Sequence, residues 1–145
     1  MRRKIAILGI TGSGKSWAGR RVAEKTGLPL FHMDALFWKH GWTEVPEAEY
    51  IQGQAELLKH EKWIIEGYID PPLVERAREA DLIIYLDYPG WLCAWRYLKR
   101  AFQHRSVARP ELPPDCFDTF TLKRFWMILT RKEREQIEKT LTLLP

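Results

Sequence analysis

Residues 9–16 of this sequence follow the pattern Gly-x4-Gly-Lys-Ser, whose residue types and spacing suit the binding of phosphate groups. The glycines let the backbone curl so that its N–H groups point inward, and the N-terminus of a following helix adds partial positive charge. In this arrangement Lys15 reaches the β- and γ-phosphates of a nucleotide, and the hydroxyl of Ser16 ligates Mg²⁺. The residues expected to contact ATP in this motif are Gly9, Thr11, Gly12, Ser13, Gly14, Lys15 and Ser16.

The segments on either side of this motif are the ones that a phosphate-binding P-loop requires. Residues 5–8 form an apolar run typical of a buried strand, and residues 17–25 are compatible with a helix. The alternative is an ordinary glycine-rich turn between a strand and a helix. The lysine and the serine at their required positions favour nucleotide binding over that alternative.

Three other short apolar runs are each followed directly by an acidic residue. The runs, each typical of a strand, are residues 30–33, 63–65 and 82–86. The acidic residues that follow them are Asp34, Glu66 and Asp87. Because ligands bind beyond the carboxyl ends of the strands in open α/β sheets, these carboxylates are expected on the same rim as the P-loop.

The order of elements predicts the fold class. Strands that alternate with helices are typical of an α/β protein whose mostly parallel sheet has helices on both faces. We therefore expect a three-layer P-loop NTPase fold of about four strands, as a single nucleotide-binding domain over residues 1–145. The remaining helices are predicted at about residues 46–60, 70–80 (capped by Asp70), 89–100 and 119–141, with a proline-rich, mobile loop at residues 106–118.

The composition is ordinary for a globular protein and narrows the class of function. Of the 145 residues, 46% are hydrophobic and 29% are charged, and the net charge of +4 suits an anionic ligand. The longest apolar runs, about five residues, are far below the ~20 needed to span a bilayer, and the N-terminus carries no signal pattern. Cys93 and Cys116 have no metal or disulfide-framework spacing. A cytoplasmic protein without membrane contact is expected.

Each rim carboxylate has a functional and a structural interpretation. Asp34 is predicted to be catalytic, orienting an acceptor hydroxyl or taking its proton, and the alternative is a cap or turn residue. Glu66 is predicted to hold Mg²⁺ through water, and the alternative is a solvated strand end. Asp87 is interpreted as the cap of the helix that begins near Pro89, with no catalytic role.

A basic stretch lies between residues 91 and 110, which include five Lys/Arg residues and no acidic residue. Arg96 and Arg100 are four residues apart and therefore share one face of the predicted helix. Arginines on a closing lid stabilise the charge of a transferred phosphoryl group, so both are predicted to be catalytic, together with Lys15, and Arg96 also to contact ATP. A solvated basic face is the alternative, and for Arg105 and Arg109 both interpretations stay open.

The aromatic residues support two different expectations. Trp91 and Trp95 are an i,i+4 pair on the predicted helix and are expected in the core. Trp38 and Trp42 follow Asp34, where they would either stack on a planar acceptor or pack a lid. The histidines, which share no metal-ligand spacing and receive no predicted role, are His32, His40, His60 and His104.

Taken together, these motifs resemble a known group of enzymes. The P-loop, Asp34, Glu66-Gly67, and residues 86–89 followed by two arginines are similar to the adenylate kinase-like P-loop phosphotransferases. More closely, the aromatic segments at residues 32–42, 63–67 and 91–100 resemble bacterial DNA topology modulation proteins (FlaR-like). The resemblance runs from about residue 4 to residue 134. It implies the adenylate kinase-like fold and the use of ATP and Mg²⁺, and it leaves the acceptor open.

Three features depart from that family pattern. Glu66 stands where relatives usually carry an aspartate, and Trp17 follows the P-loop serine where a small or β-branched residue is commoner. The adenylate kinase-like sheet usually has a fifth strand after the lid, which is expected to be missing here. Because the loop of that strand helps to hold the adenine, base specificity stays open, and an exposed sheet edge would favour a homodimer over a monomer.

Two main classes of function follow from the sequence. The first is a Mg²⁺-dependent kinase that transfers phosphate from ATP to a nucleotide, a nucleoside or another small hydroxyl acceptor. The second is a nucleotide-regulated DNA-binding or DNA topology modulation protein without kinase turnover, for which the basic stretch at residues 96–109 is the support. The sequence contains no helix-turn-helix or zinc motif that reads DNA. A third alternative, a P-loop module that binds nucleotide without catalysis, is disfavoured by the intact Lys15 and Ser16 and by the three rim carboxylates. The predicted lid covers about residues 96–118, and the predicted acceptor-side insertion covers about residues 34–60.

Overall fold

A computed structural model describes residues 3–67 and 72–144 of the chain. The strands are β1 (Lys4–Gly9), β2 (Leu30–His32), β3 (Trp38–Lys39), β4 (Thr43–Glu44), β5 (Trp63–Glu66) and β6 (Leu82–Leu86). The helices are α1 (Lys15–Thr26), α2 (Met33–Phe37), α3 (Glu47–Leu58), α4 (Leu73–Glu79), α5 (Gly90–Gln103), α6 (Leu122–Leu129) and α7 (Lys132–Thr142). A 3₁₀ turn, His40–Trp42, joins β3 to β4.

The central sheet has four parallel strands within these described ranges, in the order β2, β5, β1, β6. In the register of this sheet Gly9 pairs with Leu86, and His32 pairs with Glu66. The carboxyl ends of all four strands therefore meet at one edge. This arrangement confirms the predicted α/β fold class and the predicted rim.

The core explains why the strands read as continuous apolar runs. Trp63, Ile64 and Ile65 of β5 are fully buried, as are Ala6 and Ile7 of β1. Both strands are covered by helices on both faces of the sheet, so neither face of the strand needs a polar side chain. Each large apolar side chain buried in this way adds about 1.5–3 kcal/mol to the free energy of unfolding, relative to the same side chain left exposed to water.

The segment after β2 differs in part from the prediction. Met33, predicted as the end of a strand, begins the short helix α2, and the segment with Trp38 and Trp42 forms a β3–β4 hairpin. The turn of this hairpin holds Gly41 and Trp42 at positive φ (64° and 58°), a conformation that is easy for glycine and uncommon for tryptophan. Helix α3 begins directly after Pro46, as predicted.

The expectation that Trp91 and Trp95 lie in the core is wrong. Their exposed fractions are 65% and 60%. The buried stripe of α5 is formed instead by Cys93, Ala94 and Tyr97, together with Ala101. The i,i+4 spacing correctly places the two tryptophans on one face of the helix, but a different face, which carries Cys93, Ala94 and Tyr97, packs inward, with Cys93 against Gly12 of the P-loop.

The predicted last helix at residues 119–141 is divided into α6 and α7. Arg131, with φ of 56°, interrupts the helix, and the Thr130 hydroxyl caps the end of α6 by donating to the carbonyl of Trp126 (2.8 Å). The turn lets α7 pack against α4 and β1. Residues 104–121, all of them described, contain neither helix nor strand, as predicted for the loop at residues 106–118. The predicted cap Asp70 lies outside the described residues.

Among the residues that the structure describes, no helix is both long enough and apolar enough to cross a membrane.

Candidate nucleotide and acceptor site

The P-loop forms a tight curl between β1 and α1. The N–H of Ser13 donates to the carbonyl of Ile10 (3.1 Å), and Gly12 and Gly14 both have positive φ, 81° and 93°. A Cβ atom on Gly12 would lie 2.3 Å from the carbonyl oxygen of Cys93 in α5. Glycine is therefore required at this position by both the backbone conformation and the contact with α5.

Lys15 folds back over this curl. Its Nζ donates to the carbonyl oxygens of Gly9 (2.8 Å) and Ile10 (3.0 Å). The ammonium group is held at the mouth of the loop by two neutral acceptors. It can exchange these carbonyls for the oxygens of a phosphate, which form stronger, charge-assisted hydrogen bonds with it.

Ser16 and Glu66 lie side by side, although 50 residues separate them in the sequence. The Ser16 hydroxyl donates to Oε1 of Glu66 at 3.1 Å, and Glu66 is only 2% exposed. Burial by itself would raise the pKa of Glu66. The hydrogen bond from His32 and the charge of Lys15 together outweigh burial and hold this pKa below its usual value.

His32 is the partner that keeps Glu66 ionised. Its Nδ1 contacts Oε1 of Glu66, and this hydrogen bond raises the pKa of the imidazole despite the opposing effect of burial. His32 received no predicted role, because the histidines share no metal-ligand spacing along the chain. The signal that would have found it is the sheet register, in which His32 and Glu66 are directly paired across β2 and β5.

The pair of Ser16 and Glu66 fits a magnesium ion. Hydroxyl and carboxylate oxygens are the donors that Mg²⁺ prefers, and at phosphate sites the ion is usually held by one or two carboxylates with substrate oxygens and water. Within the described ranges there is no cluster of three or more His, Cys, Asp or Glu side chains that would form an all-protein metal cage. The residues present therefore fit an ion that binds together with a nucleotide.

Asp34 lies in the first turn of α2, on the rim beside Glu66 and Lys15. Its carboxylate lines the cleft, and its nearest cation is Arg109, with 4.0 Å between Nη1 and Oδ2. Burial raises the pKa of Asp34 above its usual value, and the positive charge of Arg109 opposes this effect. A carboxylate with a raised pKa is a better proton acceptor than a solvated one.

The basic stretch divides into two groups at different ends of the cleft. Arg96 lies over the P-loop, where Nη1 donates to the carbonyl of Ser13 (3.3 Å) and the guanidinium stacks on Tyr88 (4.8 Å to the ring centroid). Arg100 and Arg109 lie at the acceptor end, beside Asp118. The Nε atoms of both arginines lie within ion-pair distance of the same Oδ2 atom, at 3.3 Å and 3.1 Å.

Glu133 is a site residue that no sequence motif predicts. It lies in the first turn of α7, and its carboxylate accepts hydrogen bonds from the backbone N–H and from the hydroxyl of Thr11, at 2.6 Å and 2.9 Å. Glu133 also lines the cleft. No local pattern signals this contact, since it depends on the turn at Arg131 that redirects the chain.

The interpretation of Asp87 as a helix cap is wrong. Helix α5 begins after Pro89, and in the described structure its N-terminus has no side-chain cap. The Asp87 carboxylate instead pairs with Arg131 and with Arg134 (3.3 Å). The guanidinium groups of Arg131, in the turn before α7, and of Arg134, in α7, attract the carboxylate more strongly than the neutral N–H groups of the helix end.

A single cleft of about 620 Å³ joins the P-loop to the acceptor end. Trp38 and Trp42 line it with their rings edge to face, 5.1 Å apart. The loop at residues 104–121 packs onto this hairpin, because the indole N–H of Trp42 donates to the carbonyl of Phe117 (2.9 Å). The loop therefore forms a wall of the acceptor end.

Comparison with proteins of similar sequence gives short, distant matches. The chain is 26% identical over 101 residues to a shikimate kinase from Mycobacterium ulcerans, covering 60% of this chain and 55% of that protein. It is 27% identical over 135 residues to a shikimate kinase from Mycobacterium leprae, covering 83% and 65%. The chain thus spans a little over half the length of the first of these relatives. No protein-family model matches it.

Two solved structures of kinases have a fold similar to that of this chain. A gluconokinase from Sinorhizobium meliloti superposes with a TM-score of 0.52 at 17% identity, covering 97% of this chain and 95% of the other. A deoxyadenosine kinase from M. mycoides superposes with a TM-score of 0.57 at 18% identity, covering 97% and 86%. The fold of this chain is therefore the α/β fold of the P-loop kinases.

Proposed function

We propose that this protein is an ATP-dependent, Mg²⁺-requiring kinase that phosphorylates a small hydroxyl compound, such as a nucleotide, a nucleoside or another small alcohol. The observation that carries the proposal is the continuous cleft that runs from the Lys15 ammonium group, past Ser16 and Glu66, to the half-buried carboxylate of Asp34. A phosphate cradle and a candidate proton acceptor thus face one space. The kinase relatives and structural neighbours agree with this assignment.

The nucleotide end binds and orients ATP in this proposal. The backbone N–H groups from Gly12 to Ser16 hold the β- and γ-phosphates, and Lys15 leaves its carbonyl partners for the γ-phosphate. Ser16 and Glu66 would hold Mg²⁺, which, when bound, neutralises charge on the phosphates. Arg96 lies directly above the loop, where its guanidinium can contact the γ-phosphate as charge develops.

The acceptor end activates a hydroxyl group. The hydroxyl oxygen attacks the γ-phosphorus, so that a new oxygen–phosphorus bond forms while the bond to the β–γ bridging oxygen breaks and ADP leaves. The proton of the hydroxyl passes to the Asp34 carboxylate, whose raised pKa suits this role. Arg100 lies beside Asp34 and stabilises the negative charge on the phosphoryl oxygens during transfer.

This proposal is tested by ADP release from Mg²⁺-ATP with a panel of nucleosides, nucleotides, sugars and hydroxy acids. We expect acceptor-dependent release that the Lys15→Ala variant lacks. ATP binding without acceptor-stimulated release would contradict the proposal and favour a nucleotide-regulated binding protein, as the resemblance to topology modulation proteins suggests.

The proposal extends to the organisation of the chain. Residues 1–145 form one nucleotide-binding domain, with the acceptor-side insertion at about residues 34–60 and the lid at about residues 96–118. The protein acts in the cytoplasm, as a monomer or homodimer, on a nucleoside triphosphate and a small-molecule acceptor.

A further inference from the structure

The charges at the acceptor end indicate which class of compound this site accepts. We propose that the acceptor is an uncharged, polyhydroxylated ring, the chemistry that free sugars share with the ribose of nucleosides, and that acids and phosphorylated compounds are poor acceptors. The inference rests on the proposed kinase function and names its substrate class.

The arginine nearest to Asp34 is already surrounded by carboxylates. The Arg109 guanidinium lies 3.1 Å from Asp118, 3.4 Å from Glu111 and 4.0 Å from Asp34. The side chains of Arg109, Glu111 and Asp118 are each exposed by less than a tenth. This guanidinium is therefore a neutralised structural group, and it offers little net charge to the carboxylate or phosphate of an acceptor.

The same pairing continues on both sides of Arg109. Arg20 lies 3.8 Å from Glu111, and Arg100 lies 3.3 Å from Asp118. Three arginines thus alternate with two buried carboxylates, and Asp34 supplies a third negative charge. An anionic acceptor would add a fourth negative charge to this balanced cluster or displace one of its carboxylates. Both are costly, because a buried charge that loses its partner is strongly destabilising.

The cations at the other end of the cleft have different partners. In the described structure Lys15 contacts two backbone carbonyls, and Arg96 contacts a carbonyl and the ring of Tyr88. Their charges are available to a ligand, and they lie at the P-loop. The cleft therefore offers the phosphates of ATP cations that are held by neutral partners at the P-loop, whereas the arginines nearest to Asp34 are paired with Asp118 and Glu111.

The wall of the acceptor end suits the ring of such a compound. Trp38 and Trp42 present apolar ring surface, since the polar N–H of Trp42 is occupied by the carbonyl of Phe117. Asp34, Glu111 and Arg109 line the same cleft and supply hydrogen-bond acceptors and donors for several hydroxyl groups. An apolar wall and paired polar groups in the same cleft match the apolar ring surface and the hydroxyl groups of a sugar.

The test uses pairs of compounds that share a ring and differ in one charged group. The pairs are glucose and glucuronate, ribose and ribose 5-phosphate, and adenosine and AMP. Binding of each is measured by isothermal titration calorimetry on the protein with Mg²⁺ and a non-hydrolysable ATP analogue, and ADP release is measured with Mg²⁺-ATP. We expect the neutral member of at least one pair to bind about tenfold more tightly, a preference of ~1.4 kcal/mol.

The outcomes separate this inference from the proposed function. The inference is overturned if the anionic member of each pair binds as tightly as the neutral member or more tightly, or if no member of any pair binds. This holds even if an acidic compound supports ADP release. Preferred binding of a neutral member without any ADP release supports the acceptor class and contradicts the kinase. Binding of glucose or ribose indicates a free sugar as the acceptor, and binding of adenosine indicates a nucleoside.

A variant that removes one negative charge from this cluster tests directly whether charge causes the selectivity. Asp118→Asn keeps the size of the side chain but leaves Arg100 and Arg109 with one carboxylate fewer, so we expect the ratio of anionic to neutral binding to rise about tenfold. Asp115→Asn is the matched control on the same loop, because Asp115 pairs with His40 at the surface. If Asp118→Asn does not fold by circular dichroism, Glu111→Gln makes the same change. Unchanged selectivity in the folded variant contradicts the charge argument.

Discussion

Glu133 in α7 fixes Thr11 of the P-loop by accepting two hydrogen bonds, one from its backbone N–H (2.6 Å) and one from its hydroxyl (2.9 Å). The contact joins segments 122 residues apart. It is reinforced a short distance away, where Arg131 and Arg134 pair with Asp87 at the end of β6. Helix α7 therefore holds the P-loop in place on the side opposite α1.

We expect Glu133→Ala to weaken ATP binding. Hydrogen bonds to a charged group contribute about 1.5–3 kcal/mol. The dissociation constant of ATP should therefore rise about tenfold or more when Thr11 of the P-loop loses its two hydrogen bonds to Glu133. Glu135→Ala, a change of an exposed residue in the same helix, is the control. Isothermal titration calorimetry measures both. Unchanged or tighter ATP binding would show that Glu133 competes with the nucleotide and does not position the loop.

Arg100→Ala should reduce turnover far more than ATP affinity. The Arg100 guanidinium lies at the acceptor end, beside Asp118, so it can act on the transferring phosphoryl group without holding the nucleotide. Loss of one such stabilising group typically costs about 10²–10³ in kcat. Steady-state kinetics and ATP titration give the two values, with the exposed Arg105→Ala as control. Equal losses of turnover and affinity would contradict this role.

Asp34→Asn should abolish proton transfer while it stabilises the fold at neutral pH. Burial raises the pKa of Asp34, so the native state holds this proton more tightly than the unfolded state does. The contribution of Asp34 to stability is therefore greatest at low pH and is lost as pH rises through its raised pKa. At pH 7 the ionised carboxylate of the wild type carries a cost of burial that the uncharged amide avoids. The Tm of the Asp34→Asn variant should therefore exceed the Tm of the wild type at pH 7 but not at acidic pH.

Activity should depend on pH in the opposite sense to the stability contribution of Asp34, because activity is lost as pH falls. The carboxylate accepts a proton only when ionised, so kcat/KM falls as pH decreases through its pKa, at a value above the ~3.9 of an ordinary aspartate. A loss of about 10²–10⁴ in turnover is expected for Asp34→Asn. Retained activity in this variant would exclude Asp34 as the general base.

Glu66→Gln should raise the Mg²⁺ concentration required for half-maximal activity. The amide keeps the contact with Ser16 but removes the charge that attracts the ion. ATP binding measured without Mg²⁺ should change little, since the P-loop backbone is intact. Glu24→Gln, at an exposed ion pair with Arg21, serves as control. An unchanged Mg²⁺ requirement would place the ion elsewhere.

Much of the fold and part of the site could be predicted because the signals are local. A buried parallel strand is apolar throughout, and the P-loop pattern lies within eight consecutive residues. The rim position of Asp34 and Glu66 follows from the parallel sheet alone. The structure places Asp34 and Glu66 in one cleft with the P-loop, whereas Asp87, predicted on the same rim, pairs with Arg131 and Arg134 instead.

The features that could not be predicted depend on tertiary contacts. The periodicity of α5 grouped Trp91 and Trp95 correctly but could not indicate that the small residues of the opposite face pack inward. The pairing of Asp87 with Arg131 and the contact of Glu133 with Thr11 both require the turn between α6 and α7. His32 was missed for a related reason, because its partner is its neighbour in the sheet and not in the sequence.

The most direct test of the central claim is the transfer of labelled γ-phosphate from Mg²⁺-ATP to an acceptor, compared between the wild type and two lysine variants. Lys15→Ala removes the ammonium group at the mouth of the P-loop, and Lys25→Ala removes an exposed charge at the far end of α1. Our account predicts a labelled product with the wild type and Lys25→Ala and none with Lys15→Ala. A labelled product formed equally well by Lys15→Ala would contradict it.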